Sequence, residues 1–258
     1  MDGSLLAPAD GSPFVVVNEG GHANVLLVGD HAGNQVPARL SNLGISDAEL
    51  ARHIGWDIGV RALGERLATL LDATFIAQRF SRLVIDCNRD PASADAAPAV
   101  SDGTRVPEND GLGASAFEER RRAIHAPYHE RIARELDRRI AMGKRPLFVS
   151  LHSFTPSLGE RPRPWHLGVL YDGGDTALSR ALLAEAARDG DVLVGDNEPY
   201  RMDGTDYTVP RHAIFRGLPY LELEFRQDEL ADGASVHAWA ARFHGWFTTA
   251  ARSVGLEV

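Results

Sequence analysis

The sequence predicts an α/β fold: a mixed, mostly parallel sheet with helices on both faces. Three observations carry that expectation. Short apolar runs rich in β-branched residues alternate with amphipathic segments along the 258 residues. Two of these runs, Val25–Val28 and Leu147–His152, are apolar with little interruption, as strands buried on both faces are. No break in composition divides the chain, so residues 1–258 read as one domain.

Taken in order, Phe14 to Val17 reads as a first strand and Val25 to Val28 as a second. Ser46-Asp-Ala-Glu49 is a capping-box pattern that opens a short helix. From Ile58 to Leu71, the residues Val60, Leu63, Leu67, Leu70 and Leu71 fall on one helical face. Phe75–Ala77 and Leu83–Ile85 are candidate strands. The polar stretch 92–113 beyond them is long for a loop in a compact domain, which marks it as functional or mobile. Ser115 to Met142 reads as a long helix kinked or divided at Pro127. Beyond the Leu147–His152 strand, strands are expected at His166–Tyr171 and Val192–Val194, with a helix over Thr176–Arg188 between them. A late strand, Pro219–Arg226, precedes a closing amphipathic helix over Val236–Val254.

Composition narrows the function. The net charge of -9 argues against a nucleic-acid partner. Cys87 is the sole cysteine, which rules out a disulfide framework and a Cys-rich zinc site. Neither a secretory signal nor a membrane-spanning segment is visible, so a cytoplasmic protein is expected. Nearly all positive charge is arginine, Lys144 being the one lysine. Arginine binds carboxylates through two parallel hydrogen bonds, so an acidic small molecule remains a fitting substrate.

Chemistry gathers at strand ends. Both buried strands run into a histidine, His31 in one case and His152 in the other, and parallel neighbours deliver their carboxyl ends to one edge. Two imidazoles and one carboxylate, with a position left open, are the usual ligand set of a catalytic zinc. Asp30, Asp57 and Asp86 are the candidate carboxylates. Along the late strand Tyr220, Glu222, Glu224 and Arg226 share one face. A carboxylate there is either paired with Arg226 or free to act as a general base. Asn88-Arg89 comes directly after a strand and can hold a substrate carboxylate, and Asn197, Tyr200, Arg211 and Arg216 add further anion-seeking groups. His125 and His129 share a helical face, but His129-Glu130 does not extend to HExxH because position 133 is Ala; these rings are expected to line the pocket from behind its first layer, His129 being the one counted among the substrate-binding residues. Cys87 with a Glu and Lys144 is a metal-free alternative, and no Gly-x-Ser-x-Gly elbow is present.

Six segments, His31-Ala-Gly-Asn-Gln-Val-Pro37, Asp86-Cys-Asn-Arg-Asp-Pro91, Ala126-Pro-Tyr-His129, Ser150-Leu-His-Ser153, Asn197-Glu-Pro-Tyr200 and Leu223-Glu-Phe-Arg226, resemble the N-formylglutamate amidohydrolase family in kind and in order. The resemblance implies a three-layer α/β/α sandwich related to the zinc carboxypeptidases. It implies zinc held by His31 and His152, Glu224 as general base, and Asn88-Arg89 on the substrate carboxylate. The related carboxypeptidase pattern has Glu where Asn34 stands, which moves the third ligand to Asp57. Asp30 replaces the family's usual proline, and Arg201-Met-Asp-Gly-Thr replaces a glycine-rich segment. The implied reaction is hydrolysis of an N-acyl amino acid, best represented by N-formyl-L-glutamate. Another N-acyl amino acid or peptide is the alternative substrate, and a non-catalytic binding relative the alternative protein.

Overall fold

Val25, Leu26, Leu27 and Val28 are fully buried in the middle of a seven-stranded sheet. The structure, a computed structural model, describes residues 4–258. Its strands are β1 (Phe14–Val17), β2 (Val25–Gly29), β3 (Thr74–Gln78), a small hairpin of β4 (Val100–Ser101) and β5 (Thr104–Arg105), β6 (Leu147–Phe154), a second hairpin of β7 (Ser157–Leu158) and β8 (Arg161–Pro162), β9 (Leu167–Leu170), β10 (Val194–Asp196) and β11 (Tyr220–Arg226). The main sheet runs β1-β3-β2-β6-β11-β9-β10. Its four inner strands, β3, β2, β6 and β11, are parallel. β1 and β9 run against them, and β10 is parallel to β9. The mixed, mostly parallel sheet of the sequence reading is therefore present, and the carboxyl ends of β2, β6 and β11 meet at one edge.

Helices cover both faces. On one side lie α2 (Val60–Leu71), α5 (Ala177–Ala186) and α7 (Gly233–Ser253). Leu221, Leu223 and Phe225 of β11 point that way, and Phe225 meets Trp239 and Phe243 of α7 edge to face. Each such aromatic buries enough area to contribute about 1.5–3 kcal/mol. A Cβ on Gly64 of α2 would stand 2.3 Å from the Phe75 ring, so this glycine lets the helix lie against β3. On the other side lie α4 (Ala126–Ala141) and α6 (Thr208–His212), where His212 stacks over Phe148 of β6. Because strand side chains alternate, the face bearing Phe148 also bears Ser150 and His152. Glu222 and Glu224 sit beside these two in register. Chemistry therefore belongs to the α4/α6 face of the sheet.

Most elements form where the periodicity places them, and Ser46 caps α1 (Asp47–Leu50) by accepting from the Glu49 N–H. The helix expected over 115–142 is three pieces: α3 (Ala114–Arg120), one π-helical stretch at Arg121–His125, and α4. Pro127 lies in the first turn of α4, where a missing N–H is tolerated, and the widened turn before it absorbs the division.

The expected strand at Leu83–Ile85 is a correction, because these residues form a turn. Ser81 turns the chain, its hydroxyl accepting from Leu83 N–H and its carbonyl from Val84 N–H. The freed carbonyls are then met by side chains: Asn109 donates to Leu83 and Arg120 to Val84. Side-chain donors have taken the place of a neighbouring strand.

Arg120 is the centre of that arrangement. It is buried and also donates to Asn109 Oδ1 and to the Glu108 carbonyl, which ties stretch 92–113 to the domain. Arg120→Ala leaves two buried acceptors and one half-buried acceptor unmet, and the expected loss is about 3–5 kcal/mol. Urea unfolding of the variant measures it, and a loss below about 1 kcal/mol would show that the tether is unimportant.

Candidate active site

The site is built at the carboxyl edge of β2, β6 and β11. His31 arrives just after β2, His152 is the sixth residue of β6, and Glu224 the fifth of β11. Asp57 comes from the turn before α2, where its N–H donates to the His31 carbonyl at 2.9 Å. This backbone link brings the third group to the two rings.

The imidazoles lie 5.1 Å apart, centroid to centroid, and both turn Nδ1 toward one carboxylate oxygen. Asp57 Oδ2 is 3.4 Å from His31 Nδ1 and 3.0 Å from His152 Nδ1. One ligand atom from each of the three residues falls within 4.8 Å of the others, and all three residues are buried. The outer ring nitrogens are held from behind. His31 Nε2 meets Asp86 Oδ1 at 2.7 Å, and His152 Nε2 meets Ser150 Oγ at 3.1 Å with Asp30 Oδ2 at 3.4 Å. Carboxylates behind histidines are the support that metal sites use to fix ring orientation and raise ligand basicity. Asp30 and Asp86, two of the three candidate ligands, thus stand behind the rings, and Asp57 stands between them.

Electrostatics favour a cation at this point. Burial alone would lower both imidazoles, yet Asp86 and Asp57 raise His31, and Asp30 and Asp57 raise His152 well above its ordinary value. Burial would likewise raise Asp57, but the charges and hydrogen bonds of His31 and His152 outweigh it and hold the carboxyl low. A site that gathers positive charge on its own rings, with ligand atoms convergent, fits a divalent ion in donor type and in field.

Glu224 faces the group. Burial, and then repulsion from Asp57, push it up to about 7 against the pull of His152. Its Oε2 has no hydrogen-bond partner among the described residues. Arg226 does not neutralise it, because that guanidinium binds Asp228 and Glu229. The paired alternative for this strand is therefore not the one present.

His31, Asp57, His152 and Glu224 line one cavity of about 480 Å³ together with Asn88, Arg89 and Tyr200. Asn88 is fixed by accepting from the Tyr207 and Thr208 N–H groups. Arg89 is steered by Asp95 at 3.2 Å and by the Asn88 carbonyl at 2.9 Å. Arg216 lies outside this lining, bound to Asp137, and so do three of the expected substrate-binding residues. Arg211 is exposed and packs over the Tyr207 ring. Asn197 spends its side-chain oxygen on the Tyr171 N–H. His129 is turned inward to Cys87 and His212. Cys87 itself is buried, and burial raises its thiol well above the usual range, which removes it as a nucleophile.

Sequence reasoning passed over Arg82 and Asp206. Arg82 lines the cavity, binds Asp86 Oδ2 at 2.7 Å and reaches within 3.5 Å of Asp57. It adjoins the misread strand 83–85, and an arginine four residues before Asp86 was the available signal. Asp206 comes from an irregular loop with no periodicity to expose it.

Behind the cavity the histidine partners fix their own tautomers. His129 Nε2–H donates to the Cys87 carbonyl, so His129 Nδ1 accepts from His212 Nε2–H at 2.9 Å. His212 Nδ1 is buried with no partner among the described residues. Burial depresses His125 and His129, and brings His212 down to about 3. These rings fold neutral, whereas the unfolded chain protonates them near the ordinary value of about 6.5. All three therefore favour the fold above that pH and lose their contribution as pH falls below it; for His212 the loss runs from there toward 3, at about 1.4 kcal/mol per pH unit. His212→Gln keeps the donor and removes one proton site. Urea titrations at about pH 4.5, 5.5 and 6.5 are expected to show a slope shallower by about that amount, and an unchanged slope would contradict it.

A buried His–Asp–His group faced by a carboxylate, at the strand ends of an α/β fold, has the donor set of a hydrolytic metal site, and the class, an amidohydrolase, follows from the family the chain matches. The family is given by comparison. The family model described as N-formylglutamate amidohydrolase matches residues 23–231, and the chain belongs to that family. The gene product Atu2144 from Agrobacterium tumefaciens is similar at 35% identity, with 97% of this chain and 99% of that one covered and a TM-score of 0.93. The N-formylglutamate amidohydrolase from Ralstonia eutropha JMP134 shares the fold at 20% identity, with 94% and 98% covered and a TM-score of 0.69. A search of curated proteins found no match. Among the described residues no helix is long and apolar enough to cross a membrane.

Proposed function

We propose that this protein is a zinc-dependent hydrolase of small N-acyl amino acids, with N-formyl amino acids as the substrate class. The reading rests on one observation: two Nδ1 atoms and Asp57 converge inside a cavity that also holds an unpartnered Glu224. His31, Asp57 and His152 would hold the ion. When bound, zinc supplies Lewis-acid activation of water and of the scissile carbonyl.

The chain's own groups do the rest. Glu224, close to neutral in its proton affinity, takes the proton of the attacking water and returns it to the leaving amine nitrogen. Arg89, held in place by Asp95 and beside Asn88, receives the substrate carboxylate. The cavity volume suits a small molecule. Release of formate and the free amino acid completes the reaction.

The test is a formate-release assay with N-formyl-L-glutamate and related N-formyl amino acids on protein whose metal content has been measured. About one zinc per chain is expected, with turnover lost to a chelator and restored by added zinc. Activity that survives complete metal removal would end this reading.

A further inference from the structure

Among the described residues six acidic side chains are buried: Asp30, Asp57, Asp86, Glu135, Glu222 and Glu224. Four of them have a cationic partner within 4 Å: His152 for Asp30, Arg82 and the histidines for Asp57 and Asp86, and arginines for Glu135. Glu222 and Glu224 have none among the described residues. Glu224 has a reason to be unpaired, since a general base must be free to take a proton. Glu222 has no such reason.

Glu222 is 2% exposed, its Oε2 has no hydrogen-bond partner, and it lines the cavity. Two residues before Glu224 on the same face of β11, it lies about 7 Å along the strand from the general base. Asp206 lines the same wall and also lacks an ion-pair partner, its contacts being the Asn88 amide at 3.4 Å and the Asp203 N–H at 2.9 Å. The cavity's cations are placed otherwise. Arg82 is committed to Asp86 and Asp57. Arg89, whose Nε and Nη1 bind Asp95 and two carbonyls, makes no ion pair with Glu222 or Asp206 and is the cation assigned above to the substrate carboxylate. Arg201 is exposed. Burial, and then Asp206 and Glu224, push Glu222 well above the usual carboxylate range, and burial raises Asp206 as well, because an unpartnered carboxylate out of water is costly. A cation arriving with the ligand favours the charged form of both and removes that cost. A second metal ion is not the fitting cation, because the one metal-type group among the described residues is His31–Asp57–His152.

We propose that Glu222, with Asp206, forms a specificity subsite for a cationic side chain, so that the substrate is an N-acyl amino acid carrying an ammonium or guanidinium group. An acidic side chain there would place a third carboxylate beside two unpaired ones, which makes N-formyl-L-glutamate a poor substrate. The proposal rests on the amidohydrolase reading above for its substrate class, and it deepens that reading by naming the side chain.

The zinc-loaded full-length protein is assayed with N-formyl-L-arginine and N-formyl-L-glutamate, as are Glu222→Gln and Asp206→Asn. The unaltered protein is expected to favour the arginine compound by at least tenfold in kcat/KM. Glu222→Gln is expected to reduce that preference by at least tenfold, chiefly through KM, and Asp206→Asn by about threefold. A preference for the glutamate compound, or a preference that neither variant changes, overturns the subsite and leaves the amidohydrolase intact. If neither compound is hydrolysed, the proposed reaction fails and calorimetry decides the subsite separately. L-arginine binding at least tenfold tighter than L-glutamate, with the difference lost in Glu222→Gln, sustains it; equal binding overturns it.

Discussion

His31→Ala and His152→Ala are each expected to abolish stoichiometric zinc binding and to reduce kcat/KM by about 10³-fold or more. A catalytic metal contributes several kcal/mol of charge stabilisation in the transition state, and each factor of ten in rate is about 1.36 kcal/mol. With one imidazole gone, Asp57 and a single ring remain, too few for a three-residue protein ligand set. The supporting carboxylate gives a graded control. Asp86→Asn leaves His31 Nδ1 in place but weakens its anchor at Nε2, so zinc affinity is expected to fall by about 10–100-fold. Acid acts in the same direction, since the rings must be unprotonated to bind metal and their carboxylate neighbours favour the proton. Metal analysis after dialysis measures all three effects. Parental zinc content in either alanine variant would remove the histidine it replaces from the ligand set.

The legible part of this site was the part that strand geometry governs. A buried strand announces itself by an apolar run, and the residues at its carboxyl end must emerge at the sheet edge. His31 and His152 could therefore be placed together from the sequence alone. Alternation on β11 likewise separated Glu222 and Glu224 from Leu221 and Leu223. Asp57 was harder. It comes from a turn, held by a backbone hydrogen bond to His31 that no periodicity encodes, and only the resemblance to a known family singled it out from Asp30 and Asp86. Arg211, Asn197 and His129 show the opposite difficulty. They were chosen for chemical type, and local conformation turned each away from the cavity lining toward an aromatic face, a backbone N–H and a neighbouring histidine. The turn at 83–85 hid Arg82 for a related reason: Asn109 and Arg120 satisfy its carbonyls from 26 and 36 residues away, a distance over which local pattern is silent.

Glu224→Gln carries the second large effect, because it removes the proton acceptor and keeps the shape. The expected result is a fall in kcat of about 10²–10⁴-fold with zinc content unchanged, which separates this variant from the histidine substitutions. The pH profile supplies the sign. A general base must be unprotonated, so kcat/KM of the parent should fall as pH drops through the pKa of Glu224. In the metal-free protein burial and Asp57 set that pKa to about 7. A bound cation beside the carboxylate favours its charged form, so in the loaded enzyme the acid limb lies at about 7 or below. Any turnover left in Glu224→Gln should lack that limb, and Glu224→Asp should recover part of the rate with the limb present. Near-parental turnover in the glutamine variant would mean that another group accepts the proton, and Glu224 would then be one more buried carboxylate awaiting a partner.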